Sequence, residues 1–211
     1  MTEAVQRAAI VQWAGSLFAR GLTPGSSGNI SVRLADGFLM TPTNACLGFL
    51  DPARLSLLDA AGAHVAGDPP TKERPLHLAF YHARPEIGAV VHLHSTYATA
   101  LSCLSDIDPH DAVPAITPYV VMRVGRVPVL PYARPGAPEM ATLLHQHARD
   151  CTAVLLGNHG PVVAAPTLAE AVFAIEELEE TAKLVLLTRG MPVRTLSGAQ
   201  VAELHQVFRK G

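Results

Sequence analysis

Two histidines stand two apart in an apolar run, Ala89-Val90-Val91-His92-Leu93-His94. In an extended strand residues i and i+2 point to one face, so both imidazoles converge on one point. Neutral imidazole is a common ligand for zinc and similar ions. His159 closes another apolar stretch, within Gly157-Asn158-His159-Gly160, where the glycines let the backbone turn and present the ring at a strand end. Catalytic zinc sites often use three protein ligands and keep one position open, and His92, His94 and His159 meet that count. Spacing alone leaves a second reading open, in which these are hydrogen-bonded core or surface histidines. His145 and His147 repeat the HxH spacing inside a predicted helix, where positions two apart do not face each other, so no shared ligation is expected of them.

Glu73 follows a proline-rich turn at the start of a predicted helix, in GDPPTKERPLH. A carboxylate there serves as metal ligand or proton carrier, or as a solvated first-turn residue favoured by the helix dipole. Pro24-Gly25-Ser26-Ser27-Gly28-Asn29 is a small-residue loop whose N–H groups and hydroxyls suit a phosphate, although the P-loop pattern is absent. Thr41-Pro42-Thr43-Asn44 and Thr71-Lys72 are further polar turns able to contribute. Glu176, Glu177, Glu179 and Glu180 are expected to form a charged helix face without a functional role.

The elements that must position these groups follow from periodicity. Helices are predicted over 2–20, 71–82, 95–103, 138–149, 167–188 and 197–209. Pro75 sits early in the second, where its missing N–H costs least, and Thr167 with Glu170 forms a capping-box pattern for the fifth. Strands are predicted over 29–34 and 38–40 around an Asp36-Gly37 turn, over 55–59 and 64–66, and over 89–94, 127–131, 152–156 and 161–164. No repeat or linker divides the chain, so one domain over 1–211 is expected.

At 211 residues, with 49% hydrophobic and 16% charged residues, the chain can bury a sizeable core. A net charge of -2 gives no electrostatic footprint for nucleic acid or an anionic membrane. Cys46, Cys103 and Cys151 are scattered and form no CxxC, which suits free thiols in a reducing cytoplasm. The N-terminal segment carries charges inside an apolar pattern and is expected to be an amphipathic helix, not a signal peptide.

Five motifs in order, SGNIS, MTPT, the helix holding Glu73, VVHLH and NHG, resemble the class II aldolase/adducin family, the group of L-fuculose-phosphate aldolase and L-ribulose-phosphate 4-epimerase. The resemblance runs from about Gly21 to Leu187. Within the family the chain is most similar to the 3-oxo-tetronate 4-phosphate decarboxylases, through TPGSSGNISVRLADG, LMTPTNACLGFLDP, TKE, VVHLHSTYATALSCL, PYVVMRVGRVPVLPYARPG and EELEETAKL. The resemblance implies Zn2+ (with Mn2+, Co2+ or Fe2+ as alternatives) on the counterparts of His92, His94 and His159, and Glu73 as metal ligand or proton shuttle. It implies phosphate binding by Asn29, Thr43, Asn44, Thr71 and Lys72, and a tyrosine donor, Tyr119, reaching the site from a neighbouring subunit. The implied fold is α/β, a three-layer α/β/α sandwich around a mostly antiparallel sheet, assembled as a homotetramer. Asn44 departs from a glycine usual in sugar-phosphate aldolases, and Thr71-Lys72 from two serines.

The implied reaction is a metal-dependent decarboxylation of 3-oxo-tetronate 4-phosphate to dihydroxyacetone phosphate and CO2 through a metal-bound enediolate. Glu73 or Tyr119 supplies or relays the proton. The substrate carboxylate calls for a cation, with Arg123 and Arg126 candidates by position and solvated arginines the simpler reading of both. The rival reactions are aldol cleavage of an L-fuculose 1-phosphate type substrate and a dehydration or epimerisation of the same family. A non-catalytic adducin-like interaction module is the rival of another class.

Overall fold

The structure, a computed structural model, describes residues 2–208. Arg209, the expected last residue of the final helix, and the outermost positions of the 1–211 span lie outside the described residues.

One eight-stranded sheet organises the chain. Its strands are β1 (Asn29–Leu34), β2 (Gly37–Met40), β3 (Ser56–Asp59), β4 (His64–Ala66), β5 (Ala89–His92), β6 (Val129–Leu130), β7 (Ala153–Leu156) and β8 (Gly160–Ala165), in the spatial order β4-β3-β2-β1-β5-β8-β7-β6. The helices are α1 (Glu3–Ala19), α2 (Arg74–Ala83), α3 (Thr96–Ser102), α4 (Pro118–Arg123), α5 (Pro138–His147), α6 (Leu168–Leu187) and α7 (Gly198–Phe208).

The sheet is mixed, where a mostly antiparallel one was expected. The β6–β7 pair runs parallel while the other ladders run antiparallel. The physical reason is the connection: α5 lies between β6 and β7 and carries the chain back across the sheet, the crossover that parallel neighbours require.

Strand alternation sorts side chains into two apolar clusters. Ile30, Val32, Ala89, Val91, Leu155 and Val163 pack with residues of α1, α3, α4 and α6. Val90, Val154, Leu156, Val162 and Ala164 pack with residues of α2 and α5. Because β5 has period two, His92 follows Val90 onto the side of α2, whose N-cap is Glu73.

Local differences from the sequence reading have local causes. The first hairpin turns on Ala35-Asp36, and Gly37 opens β2 opposite Leu34. α2 begins at Arg74 because Thr71, Lys72 and Glu73 form a hydrogen-bonded turn closed by Arg74 N–H on the Thr71 carbonyl. β5 ends at His92, yet Leu93 N–H still donates to the Pro161 carbonyl, so the chain stays extended toward His94. Helix α4 was not anticipated, although Thr117 caps it through Val120 N–H and Pro118 follows at its first position. At α6, Thr167 Oγ1 accepts from Glu170 N–H and donates to the Glu170 carboxylate. Among the described residues no helix is long and apolar enough to cross a membrane.

Candidate metal centre

His92 lies at the end of β5, fully buried, opposite Asn29 on β1 and Val162 on β8. Its Nδ1–H donates to the Pro161 carbonyl at 2.9 Å, which leaves the Nε2 lone pair free. His94 reaches the same point from two residues further on, with its Nε2 3.1 Å from that of His92. His159 enters from the β7–β8 turn. That turn depends on Asn158 at φ 56°, and on Gly160, where a Cβ would meet the Leu93 carbonyl at 2.5 Å.

The nitrogens of His92, His94 and His159 lie within 4.8 Å of one another. Glu73 places Oε2 3.4 Å from His92 Nε2 and Oε1 3.4 Å from His159 Nε2. A tetrahedral zinc ion at its usual bond lengths separates its ligand atoms by roughly 3.3 Å. The donor set therefore fits a divalent ion in both chemistry and spacing. His145 and His147 join no such group among the described residues.

The electrostatics keep the donors ready. Burial lowers the His94 pKa, His92 and His159 lower it further and Glu73 opposes them, leaving it at about 4. Burial and His92 likewise hold His159 below the usual histidine value, against Glu73. Burial alone would raise the Glu73 carboxyl, but His92, the Asn29 amide, His159 and His77 outweigh it and hold it below the ordinary carboxylate value. At neutral pH His94 and His159 are therefore neutral and Glu73 is ionised.

Three turns meet beside this centre. Ile30 N–H donates to Thr41 Oγ1, Thr71 N–H to the Thr41 carbonyl and Thr43 N–H to the Pro69 carbonyl. Thr71 Oγ1 accepts from Glu73 N–H, and Asn29 Nδ2 donates to Glu73 Oε2 at 2.8 Å. Gly28 is held to glycine, since a Cβ would stand 2.9 Å from the His92 carbonyl. Asn44 adopts φ 56°, a left-handed conformation that asparagine tolerates better than most residues and that glycine adopts freely. Lys72 is exposed on the same turn as Thr71. Asn29 has its amide engaged with Glu73 and His77, so toward a phosphate it offers one remaining N–H.

Residues 8–186 match the family described as the class II aldolase and adducin N-terminal domain. The chain belongs to the class II aldolase and adducin family. A protein of Escherichia coli strain K12 named 3-oxo-tetronate 4-phosphate decarboxylase is 52% identical over 90% of this chain and 91% of its own length. The E. coli L-fuculose phosphate aldolase is 34% identical over 90% of this chain and 87% of its own. A solved Klebsiella pneumoniae structure described as a putative aldolase/epimerase/decarboxylase superposes with a TM-score of 0.94 at 49% identity, covering 97% of this chain and 99% of that one.

Within this family fold, the remaining predicted residues separate. Tyr119 is 54% exposed on α4, with the Arg123 guanidinium over its ring, and does not line its own chain's Glu73–His159 cavity. Arg123 also stacks on Phe173, and Arg126 donates to the His110 carbonyl, so neither faces the histidines. Instead Arg134 lines a small cavity with Glu73, His159, Leu76, Met140 and Leu156.

Three residues escaped the sequence reading. Arg134 precedes Pro135-Gly136 in a turn closed by Ala137 N–H on its own carbonyl, and nothing in the pattern foretold that turn's proximity to the site. His77 is fully buried, and its position one helical turn after Glu73 was a legible signal. Glu179 is not part of a solvated face. It is 4% exposed and accepts Tyr97 N–H at 2.8 Å and Ala98 N–H at 2.7 Å, capping α3 just after His94. Its signal was its place in the apolar stripe of Ile175, Leu178 and Ala182.

Proposed function

We propose that this protein decarboxylates 3-oxo-tetronate 4-phosphate to dihydroxyacetone phosphate and CO2. The observation that carries the reading is the convergence of three imidazoles with Glu73 inside 4.8 Å and 3.4 Å spacings, in a chain 47–52% identical to relatives named for that activity. His92, His94 and His159 hold a divalent ion, zinc by the donor set, with Mn2+, Co2+ or Fe2+ compatible with imidazole. Glu73 is its neighbour or fourth ligand.

Departure of C1 as CO2 leaves its bonding electron pair on C2 and the C3 carbonyl, an enediolate, and protonation at C2 completes the reaction. The bound ion supplies Lewis acidity toward the developing oxygen charge. Glu73, ionised at rest, relays to C2 a proton taken up from solvent, with Tyr119 of a neighbouring copy as the second donor. Asn29, Thr43, Asn44, Thr71 and Lys72, on the three adjoining turns, bind the phosphate. Arg134 meets the substrate carboxylate at the rim of a cavity that is otherwise largely apolar. Its charge orients the carboxylate, while the apolar wall favours release of neutral CO2 over retention of an anion.

The same reading takes residues 1–211 as one domain, a three-layer α/β/α sandwich supported by the two clusters on opposite sides of the sheet. Exposed Phe49, Tyr119, Met122 and Phe173 support assembly into a homotetramer. Three free cysteines support a reducing cytoplasm. Aldol cleavage of an L-fuculose 1-phosphate type substrate is the second reading, favoured by the 34% identical aldolase. Incubation of the purified protein with each substrate tests the two. Stoichiometric CO2 and dihydroxyacetone phosphate are expected from the first, and aldehyde release from the second without CO2 from the first would overturn the assignment. An interaction module would bind no ion and show no metal-dependent stabilisation.

A further inference from the structure

We propose that His77 is a positioning residue for Glu73, acting through Asn29 at the end of a buried file of hydrogen bonds that runs from Tyr81 through Ser31. The proposal rests on the role given to Glu73 above. The file is built by two interlocking periods. On α2 and its N-cap, Glu73, His77 and Tyr81 are four apart and share one face. On β1, Asn29 and Ser31 are two apart and share the face turned toward them.

The contacts alternate between the two elements. Tyr81 OH lies 2.8 Å from Ser31 Oγ, Ser31 Oγ 2.7 Å from His77 Nδ1, His77 Nε2 in hydrogen-bond contact with Asn29 Oδ1, and Asn29 Nδ2 2.8 Å from Glu73 Oε2. Asn29, Ser31, His77 and Tyr81 are all buried.

The proton positions follow from the end of the file. An ionised carboxylate only accepts, so Asn29 must present Nδ2 to Glu73 and Oδ1 to His77. His77 must then donate from Nε2. A neutral imidazole that donates from Nε2 accepts at Nδ1, so Ser31 donates to His77, and Tyr81 donates to Ser31. Burial first, and then His92, drive the His77 pKa down to about 3, against Glu73, so the ring stays neutral. Neither phenylalanine nor leucine could fill this place, because neither accepts on one side while donating on the other. Without the His77 donor, the Asn29 amide loses the contact that keeps Oδ1 turned away from the carboxylate. Glu73 then loses a fixed hydrogen bond on the oxygen nearest His92.

The spectroscopic test needs no turnover. Nitrogen-15 correlation spectra of histidine-labelled protein are expected to show His77 as the Nε2–H tautomer, unchanged across neutral and mildly acid pH. An Nδ1–H tautomer or a titrating ring would overturn the proposal. The kinetic test uses whichever of 3-oxo-tetronate 4-phosphate and L-fuculose 1-phosphate the wild type turns over, so failure of the decarboxylase assignment is read separately. His77→Phe should lower kcat by roughly 10- to 100-fold with KM and metal content little changed. His77→Gln, which retains an amide donor for Asn29 and an oxygen for Ser31, should recover most of that loss. Wild-type kcat in His77→Phe would refute the positioning role. So would equal losses in both variants accompanied by loss of metal and of thermal stability.

Discussion

Removal of the Glu179 carboxylate tests how the fold holds the histidine segment. Glu179 accepts two backbone N–H groups at the start of α3, and that start lies two residues beyond His94. The Ala98 bond is buried and the Tyr97 bond partly so. A buried donor left without its acceptor costs about 1–3 kcal/mol. Taking the upper part of that range for Ala98 and the lower part for Tyr97 puts Glu179→Ala at about 3 kcal/mol. For a chain of this size each kcal/mol lowers the melting temperature by roughly 2–4 °C, so a drop of about 6–12 °C is expected. Glu179→Gln keeps one acceptor oxygen and should lose about half as much. Calorimetric or circular-dichroism melts of the metal-free proteins measure both, and a metal titration reports on His94. A Glu179→Ala melt within about 2 °C of wild type would refute the capping argument, since two unsatisfied donors cannot cost so little.

Further outcomes are expected at the site. His94→Ala should abolish turnover and weaken metal binding by more than ~100-fold, measured by competition with a chelating dye. Glu73→Gln should lose turnover while holding metal close to wild-type content; unchanged activity in either variant would remove that residue from the assignment. Arg134→Ala should raise KM for 3-oxo-tetronate 4-phosphate by roughly 10- to 100-fold, the worth of one hydrogen bond to a charged group. It should leave an uncarboxylated sugar phosphate unaffected, and equal effects on both would place Arg134 elsewhere. His77 has a folded pKa of about 3 against 6.5 for the free side chain, so between those values the unfolded chain binds the extra proton. Its stabilising contribution is complete above the unfolded value and declines on acidification, by up to ~1.4 kcal/mol per pH unit. Urea midpoints between about pH 7 and 5 should therefore fall less steeply in His77→Phe than in wild type.

Periodicity placed most elements because each has a one-dimensional signature: Ala89-Val90-Val91 is a short apolar run of strand formers, Leu168–Leu187 repeats every three to four residues, and the Thr167 cap marks a helix start. It failed where the signature is short. Helix α4 has only six residues, too few for a period to emerge, whereas the strand expected over 127–131 is present as the two residues of β6. The charged cluster around Glu179 was misread because charge suggests solvent. One carboxylate in it is buried by partners 81 and 82 residues away along the chain.

The sequence by itself determined that His92 and His94 point the same way along one extended run, because that depends only on adjacent backbone geometry. It equally determined that His145 and His147, on a helix, do not. Tertiary structure decided that His159 joins the pair, since that requires β8 to lie beside β5. It decided that Arg134 and not Arg123 or Arg126 lines the cavity beside Glu73, and that Asn29 is hydrogen-bonded to Glu73 and His77. Those facts belong to chain segments tens of residues apart, brought together by packing that no local pattern encodes.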